Sequence, residues 1–485
     1  MHFTSFTYLA FLPLVLLAYR LMPTYGLQNV LLLVASYVFY GWWDYRFCLL
    51  MLVSSLVDYT TGAMLHRQKN LRSRKCLLAF SIACNLGLLG VFKYLNFFTE
   101  SFRELGQLFG MNMSGGTIEI ILPVGISFYT FQTMSYTLDI YRRRLKPADN
   151  LIDYLAFVSF FPQLVAGPIE RASHLLPQLR KARSVSREES AGGVRQILCG
   201  FFKKIVIADS VAVFVTAAYV SPADATGPEL VLATLLFAFQ IYCDFSAYSD
   251  IAIGTARLFG IHLMQNFAYP YFSRSMREFW QRWHISLSTW FRDYVYIPLG
   301  GNQGSGLIRN RNLLLTFLIS GLWHGAAWRF LGWGALHGTA LITENSANIG
   351  TLHGKRLQEH LLPSLSGLVR MLLTFCVVCL SWVLFRAETI SDALMIWKKM
   401  VFSITTLTHW NPLWIEYSSR GPLFYTLNML LVFVLVEWAH RHHPFPLEIG
   451  HWPTPLRWPA YTLVLWLIVE HADKTPQSPF IYFQF

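Results

Sequence analysis

The sequence predicts an all-α, polytopic membrane protein, and three observations carry that expectation. Only 14% of residues are charged, against roughly 25% in soluble domains. Apolar residues make up 54% of the chain and gather in runs of about 20. Such runs are too long for barrel strands, and only helices or closed barrels satisfy the backbone in lipid. Roughly 10 to 12 membrane-embedded helices are expected, some of them re-entrant. A single integral-membrane domain over residues 1–485 is expected, with no soluble domain and no long-period repeat.

The elements follow in order. Residues 6–22 and 27–65 read as the first spans, with Pro13 and Gly41 as kinks or breaks. HRQKNLRSRK, with five Lys/Arg, marks a cytoplasmic loop. Residues 76–98 read as a further span and 99–117 as a polar, Gly-rich loop. Residues 118–141 form a polar span interrupted at its start by Pro123 and Gly125. It carries Asp139 and is pinned by Arg142, Arg143, Arg144 and Lys146. Residues 151–168 are apolar but short, which predicts a re-entrant or interfacial segment. Residues 170–190 read as a charged cytoplasmic loop and 194–220 as a helix with Lys203 and Lys204 at its start. Residues 229–261 predict a helix carrying Asp244 and Asp250. Carboxylates at membrane depth face a cavity or a partner, here Arg257 or the basic residues of 274–282. Residues 266–305 form an amphipathic stretch, and 312–345 one long or broken helical region. Spans follow at 367–387, 423–440 and 457–472, separated by mixed segments, and residues 473–485 form a tail ending in FIYFQF.

The net charge of +12 fits basic cytoplasmic loops and anionic lipid contacts. No nucleic-acid module is present, so nucleic acid is not an expected partner. The first apolar run follows a stretch without Lys or Arg and precedes no A-x-A-like site, so no cleavable signal peptide is expected. Seven cysteines sit mostly in apolar runs. Cys376 and Cys379 share one helix face, where Cys behaves as a small hydrophobe.

The chemistry centres on residues 279–338. His324 lies in the apolar run LLLTFLISGLWHGAAW, where an ionisable group marks function and a neutral imidazole suits general-base work. Gly321 and Gly325 flank it and allow close helix approach. His337, in GALHG, echoes the GLWHG motif and competes for the same role. His284, 40 residues upstream of His324, sits among Arg282, Arg292 and Asp293. It either orients His324, binds the acyl donor, or lies at headgroup depth. Zinc wants HExxH or paired CxxC spacing, and neither occurs, so no metal is expected; HRHHP at 440–444 reads as a basic end. A Ser–His–Asp hydrolase wants G-x-S-x-G in a strand-to-helix turn, which is not found.

REFWQRWHISLSTWFRDYVYIPLGGN and RNLLLTFLISGLWHGAAWRFLGWGALHG resemble the membrane-bound O-acyltransferase family, and more narrowly its bacterial alginate O-acetyltransferase branch. So do LLLVASYVFYGWWD, PVGISFYTFQTMSYTLDIYR, FFPQLVAGPIER, YCDFSAYSDIAIGTARLFGI, NFAYPYFSRS and WVLFRA. The resemblance covers nearly the whole chain. It implies a ring of helices around a thin centre, with a funnel from each side meeting at His324, and a catalytic core near residues 229–345. His284 then falls on the second polar position. It implies a multi-pass enzyme of the bacterial inner membrane that takes an acetyl group from acetyl-CoA or an acyl carrier protein, with no bound cofactor. The resemblance extends to FIYFQF, whose Tyr482 becomes a candidate acyl relay; without it, Tyr482 reads as part of an aromatic belt. A periplasmic SGNH-type acetyltransferase and a polysaccharide synthesis and export complex are the implied partners. Two alternatives stay open. One is a transporter or flippase for a polymer or lipid-linked sugar, with Asp139, Asp244 and Asp250 serving proton coupling. The other is a family member that acylates a lipid or protein. The polysaccharide, the donor and the acyl group are not legible.

Overall fold

Helices supply every regular element of the computed structural model, which describes residues 1–111, 121–347, 362–403, 406, 410–473, 478, 480 and 481; no strand occurs among them. The chain divides into two units, residues 1–194 with 252–264, and residues 195–251 with 265–485.

In the first unit, α1 (Phe6–Leu21) starts where the Ser5 hydroxyl accepts the Tyr8 N–H, and it carries Pro13 inside. α2 (Tyr25–Gly41) is capped by Thr24, and Gly41 ends it as expected. α3 spans Arg46–Arg67. α4 (Leu71–Leu89), capped by Asn70, runs through a π-helical turn at Gly90–Tyr94 into α5 (Leu95–Leu108). The expected loop over 99–117 is therefore helical as far as Leu108. In LNFFTESFRELGQL the polar and apolar residues segregate to opposite faces, which sustains a helix without an apolar run.

α6 (Ile126–Tyr141) begins after Gly125, whose φ of 78° is a left-handed conformation that glycine adopts without strain. α7 (Leu151–Ser159) and α8 (Phe161–Leu164) are both too short to cross a bilayer. α9 (Ala172–Leu179) occupies part of the expected charged loop. There His174 Nδ1 lies 2.6 Å from the wholly buried Glu170, and that hydrogen bond raises the imidazole above its ordinary pKa.

Buried polar groups in this unit meet one another, as a dry interior requires. Ser81 Oγ donates to Asp58 Oδ1 (2.5 Å) and Asn85 Nδ2 to Asp58 Oδ2 (2.7 Å), joining α3 to α4. Asn29 of α2 donates to Asp153 Oδ1 (2.7 Å) and the Leu179 carbonyl (2.8 Å), and accepts from Arg183 Nη2 (2.7 Å). Asn29→Leu strands these partners. It is expected to cost about 1–3 kcal/mol, read as a lower thermal midpoint of the detergent-purified protein, and an unchanged midpoint would remove Asn29 from the fold's supports.

α10 (Arg187–Phe201) leads into the second unit through a π-helical turn at Phe202–Ala208 and α11 (Asp209–Val220). α12 (Gly227–Leu258) follows. The amphipathic stretch breaks into α13 (Met276–Arg282), α14 (Ile285–Phe291) and a π-helical turn at Arg292–Tyr296. The region over 312–345 is broken rather than continuous: α15 (Gly306–His324) and α16 (Trp328–Ser346) form a tight hairpin. α17 (Leu365–Arg386), α18 (Ile390–Ser403), α19 (Asn411–Ser418), α20 (Pro422–Ala439) and α21 (Thr454–Ala472) complete the unit.

Among the described residues, five helices are long and apolar enough to cross a membrane: Arg46–Arg67, Leu71–Leu108, Gly227–Leu258, Leu365–Arg386 and Pro422–Ala439. Their outer faces fit lipid. On α20, Leu431, Val432 and Leu435 are each more than half exposed, a pattern water would penalise.

Candidate active site

The α15–α16 hairpin sets the site. A Cβ on Gly321 would collide with the Phe330 carbonyl, one on Gly325 with the Phe330 ring, and one on Gly334 with the Phe317 carbonyl. The glycines of GLWHG and GALHG thus let two helix backbones touch. His324 is the last residue of α15 and is 4% exposed. Its ring packs edge-on against Trp333 (5.0 Å) and Phe385 (5.5 Å).

His284 sits at the junction of α13 and α14 in a left-handed backbone conformation, φ 43° and ψ 54°. For a residue other than glycine this costs on the order of 1–3 kcal/mol and persists only where the surroundings enforce it. Asn266, wholly buried, does so: its carbonyl accepts the Ile285 N–H (2.9 Å), its Oδ1 accepts the Ser286 hydroxyl (2.6 Å), and its Nδ2 donates to Ser249 (3.1 Å). The His284 ring is fully buried, with centroid separations of 4.6 Å from Phe245 and 6.1 Å from Trp323. Trp323 in turn packs 4.9 Å from His324. The two histidines therefore share one indole wall and sit in one region of the second unit.

His337 has a different task. Its Nε2 lies 2.8 Å from Ser381 Oγ, whose own proton goes to the Val378 carbonyl at 2.6 Å. The hydroxyl oxygen is thus an acceptor, and His337 donates from Nε2. Trp333, Trp280 and Phe279 enclose the ring. His337 ties α16 to α17.

A cavity of about 500 Å³ opens beside the hairpin. Leu313, Thr316, Phe317 and Ser320 line it from α15. His324 lies one turn beyond Ser320 on the same helix face, and neither it nor His284 is among the residues that line the cavity. Arg277, Arg292, Ser288 and Thr289 also line it, and the Ser288 and Thr289 hydroxyls donate to the Trp283 and Ile285 carbonyls. Arg277 is fixed by a hydrogen bond to Asn345.

The carboxylates of α12 find partners other than those expected. Lys203 Nζ lies 3.0 Å from Asp250 and 3.8 Å from Glu437; Lys204 Nζ lies 2.8 Å from Asp244 and 2.8 Å from Asp209. The lysines turn inward because both lie in the π-helical turn, and adjacent lysines in the apolar FFKKIVIA were the available signal. Trp323, Asn266 and the cavity were not anticipated. Tyr482 lies outside the described residues, while Ser478, Phe480 and Ile481 of the tail are placed. Cys376 and Cys379 are both free thiols. Among the described residues no group of three or more His, Cys, Asp or Glu is arranged to hold a metal ion.

Comparison with known proteins adds three relatives and a family. The model of the membrane-bound O-acyltransferase family matches residues 143–348, a stretch that includes His284, His324 and His337. The chain is 41% identical to the probable alginate O-acetylase AlgI of Pseudomonas aeruginosa, over 78% of this chain and 70% of that protein. It is 36% identical to the probable alginate O-acetylase AlgI of Pseudomonas putida, over 98% of each chain. It is 31% identical to the peptidoglycan O-acetyltransferase of Helicobacter pylori, over 98% of this chain and 96% of that protein.

Proposed function

The chain belongs to the membrane-bound O-acyltransferase family, and from that premise we propose that it draws an acetyl group from a cytoplasmic thioester and moves it across the bacterial inner membrane for O-acetylation of an exported polysaccharide. It is an O-acyltransferase and a multi-pass membrane protein, so the transporter reading is set aside. His324 is the general base. Tyr482 is the relay, His284 the assisting residue, and the 500 Å³ cavity the donor site.

The observation that carries this reading is the cavity lined on α15 by Leu313, Thr316, Phe317 and Ser320, the last of them one helical turn before His324. Its volume falls in the range of small-molecule sites. Arg277 and Arg292 suit the phosphates of a coenzyme or carrier-protein arm. In the first step His324 takes the phenol proton of Tyr482 while the phenol oxygen attacks the thioester carbonyl carbon. The C–S bond then breaks and the thiol leaves with that proton. A phenol needs such an adjacent base at neutral pH. The resulting tyrosyl ester passes its acetyl group to a polymer hydroxyl through a periplasmic SGNH-type transferase, alongside the polymer's synthesis and export complex. The names of the relatives support an alginate-like or other envelope polymer.

The test uses acetyl-labelled thioester and the detergent-purified chain. Wild type is expected to carry acetyl on its C-terminal peptide, and Tyr482→Phe to carry none at equal protein level. Cells with Tyr482→Phe are expected to secrete polymer with background O-acetyl content. Normal acetylation in that variant would end the relay assignment.

A further inference from the structure

The last placed residues of the tail are held by charge. Lys204 is 8% exposed, and Asp209 and Asp244 are 1% and 2% exposed. The Lys204 ammonium donates to the Ser478 carbonyl at 2.8 Å and lies 3.1 Å from the Ser478 hydroxyl oxygen, besides its two carboxylates at 2.8 Å each. Asp209 Oδ1 accepts from the Ser478 hydroxyl (2.5 Å) and the Ser478 N–H (3.3 Å). Asp244 Oδ2 accepts the Ile481 N–H at 2.7 Å. Between these anchors the Phe480 ring packs on Tyr248 (4.9 Å) and Phe245 (5.9 Å). Phe245 is also the ring against which His284 packs, at 4.6 Å.

Two features set this apart from an ordinary buried ion cluster. Chain ends are loosely held unless something ties them down, and here three charged side chains satisfy two N–H groups, a carbonyl and a hydroxyl of a terminal segment. In the neighbouring set, Lys203 pairs with Asp250 and Glu437, both on helices of the same unit, whereas Lys204 also reaches the tail. Both lysines stem from one π-helical turn, a distortion that recurs at functional sites.

We propose that Lys204, Asp209 and Asp244 are positioning residues that form a socket for the C-terminal segment, reading its main chain at residues 478 and 481 and so fixing the register of the acyl-accepting residue that follows. The socket touches neither donor nor reacting atoms; it acts through the tail. It grips the main chain at both residues and the Ser478 hydroxyl besides, so it sets the register of the tail and favours a hydroxyl residue at position 478. This deepens the relay reading and rests on it for the identity of the residue delivered.

The experiment separates docking from chemistry. Full-length protein in detergent is exposed to carboxypeptidase and its intact mass followed. Wild type is expected to resist trimming at about residue 481, whereas Lys204→Met and Asp244→Leu are trimmed past residue 478 roughly tenfold faster or more. Asp244→Asn keeps an oxygen for the Ile481 N–H and is expected to fall between. In acetyl transfer from the thioester to the tail, Lys204→Met is expected to lower kcat roughly tenfold with the donor KM unchanged, and Lys204→Arg to restore most of it. Tyr482→Phe is expected to resist trimming like wild type. If Tyr482→Phe resists trimming yet acetylates normally, the socket stands and the relay falls. Equal trimming of wild type and Lys204→Met overturns the socket. So does a joint loss of donor KM, kcat and thermal midpoint in Lys204→Met that Lys204→Arg does not repair, which would make Lys204 a fold residue only.

Discussion

His324→Ala is expected to abolish acetyl transfer, lowering kcat by about 10²- to 10⁴-fold, the range a positioned general base contributes. The imidazole sits at the end of α15, one turn beyond the cavity-lining Ser320 and 4.9 Å from the indole of Trp323. Loss of the ring also leaves a void against Trp333 and Phe385, and such voids destabilise by about 1–3 kcal/mol. His324→Gln therefore serves as the companion variant, since it fills most of the space and keeps polar atoms while losing the imidazole. Both are expected to lose activity, and Gln to retain the wild-type thermal midpoint within a few degrees. Activity in His324→Gln near the wild-type rate would remove His324 from catalysis and leave it a packing residue.

Gly321→Leu is expected to prevent the α15–α16 hairpin from closing, with little folded protein recovered. The Phe330 carbonyl already occupies the space a side chain needs. That carbonyl belongs to the facing backbone, so no rotamer change makes room. Gly321→Ala is expected to cost at least the 1–3 kcal/mol typical of overpacking, read as a lower thermal midpoint and weaker expression. Gly332→Ala supplies the control. Its Cβ would meet only the Leu384 methyls at 3.7 Å, an ordinary contact, and the gain in helix propensity makes it neutral or slightly stabilising. Equal behaviour of the two alanine variants would refute the close-approach reading of this hairpin.

Much of this architecture was legible because the signals were local. Pro and Gly positions divided the first helices at Gly41 and Gly125 as the structure has them. The short apolar run after residue 150 became two helices too short to span. The resemblance over residues 279–338 pointed to His284 and His324, which the structure brings to one indole. Other features depended on tertiary context. Residues 99–108 lack an apolar run, and only their two-faced pattern marks them as helix. The brief echo of GLWHG in GALHG is too short to count as a repeat, yet it encodes both sides of one helix contact. Asp244 and Asp250 pair with lysines about 40 to 50 residues upstream, and no spacing rule joins groups that far apart. The tie of His337 to Ser381, on another helix, was likewise not legible from the GALHG motif.

The socket and the tail belong to one polypeptide, with Ala472 closing α21 and Ser478 seated at Lys204. On the proposed relay, a tether this short fixes the local concentration of the acceptor segment by geometry instead of expression level, and such linkage reaches the millimolar range. Acceptor supply is then unimolecular. It is indifferent to dilution in the membrane, and a free peptide of the same sequence competes only when its own concentration approaches that range.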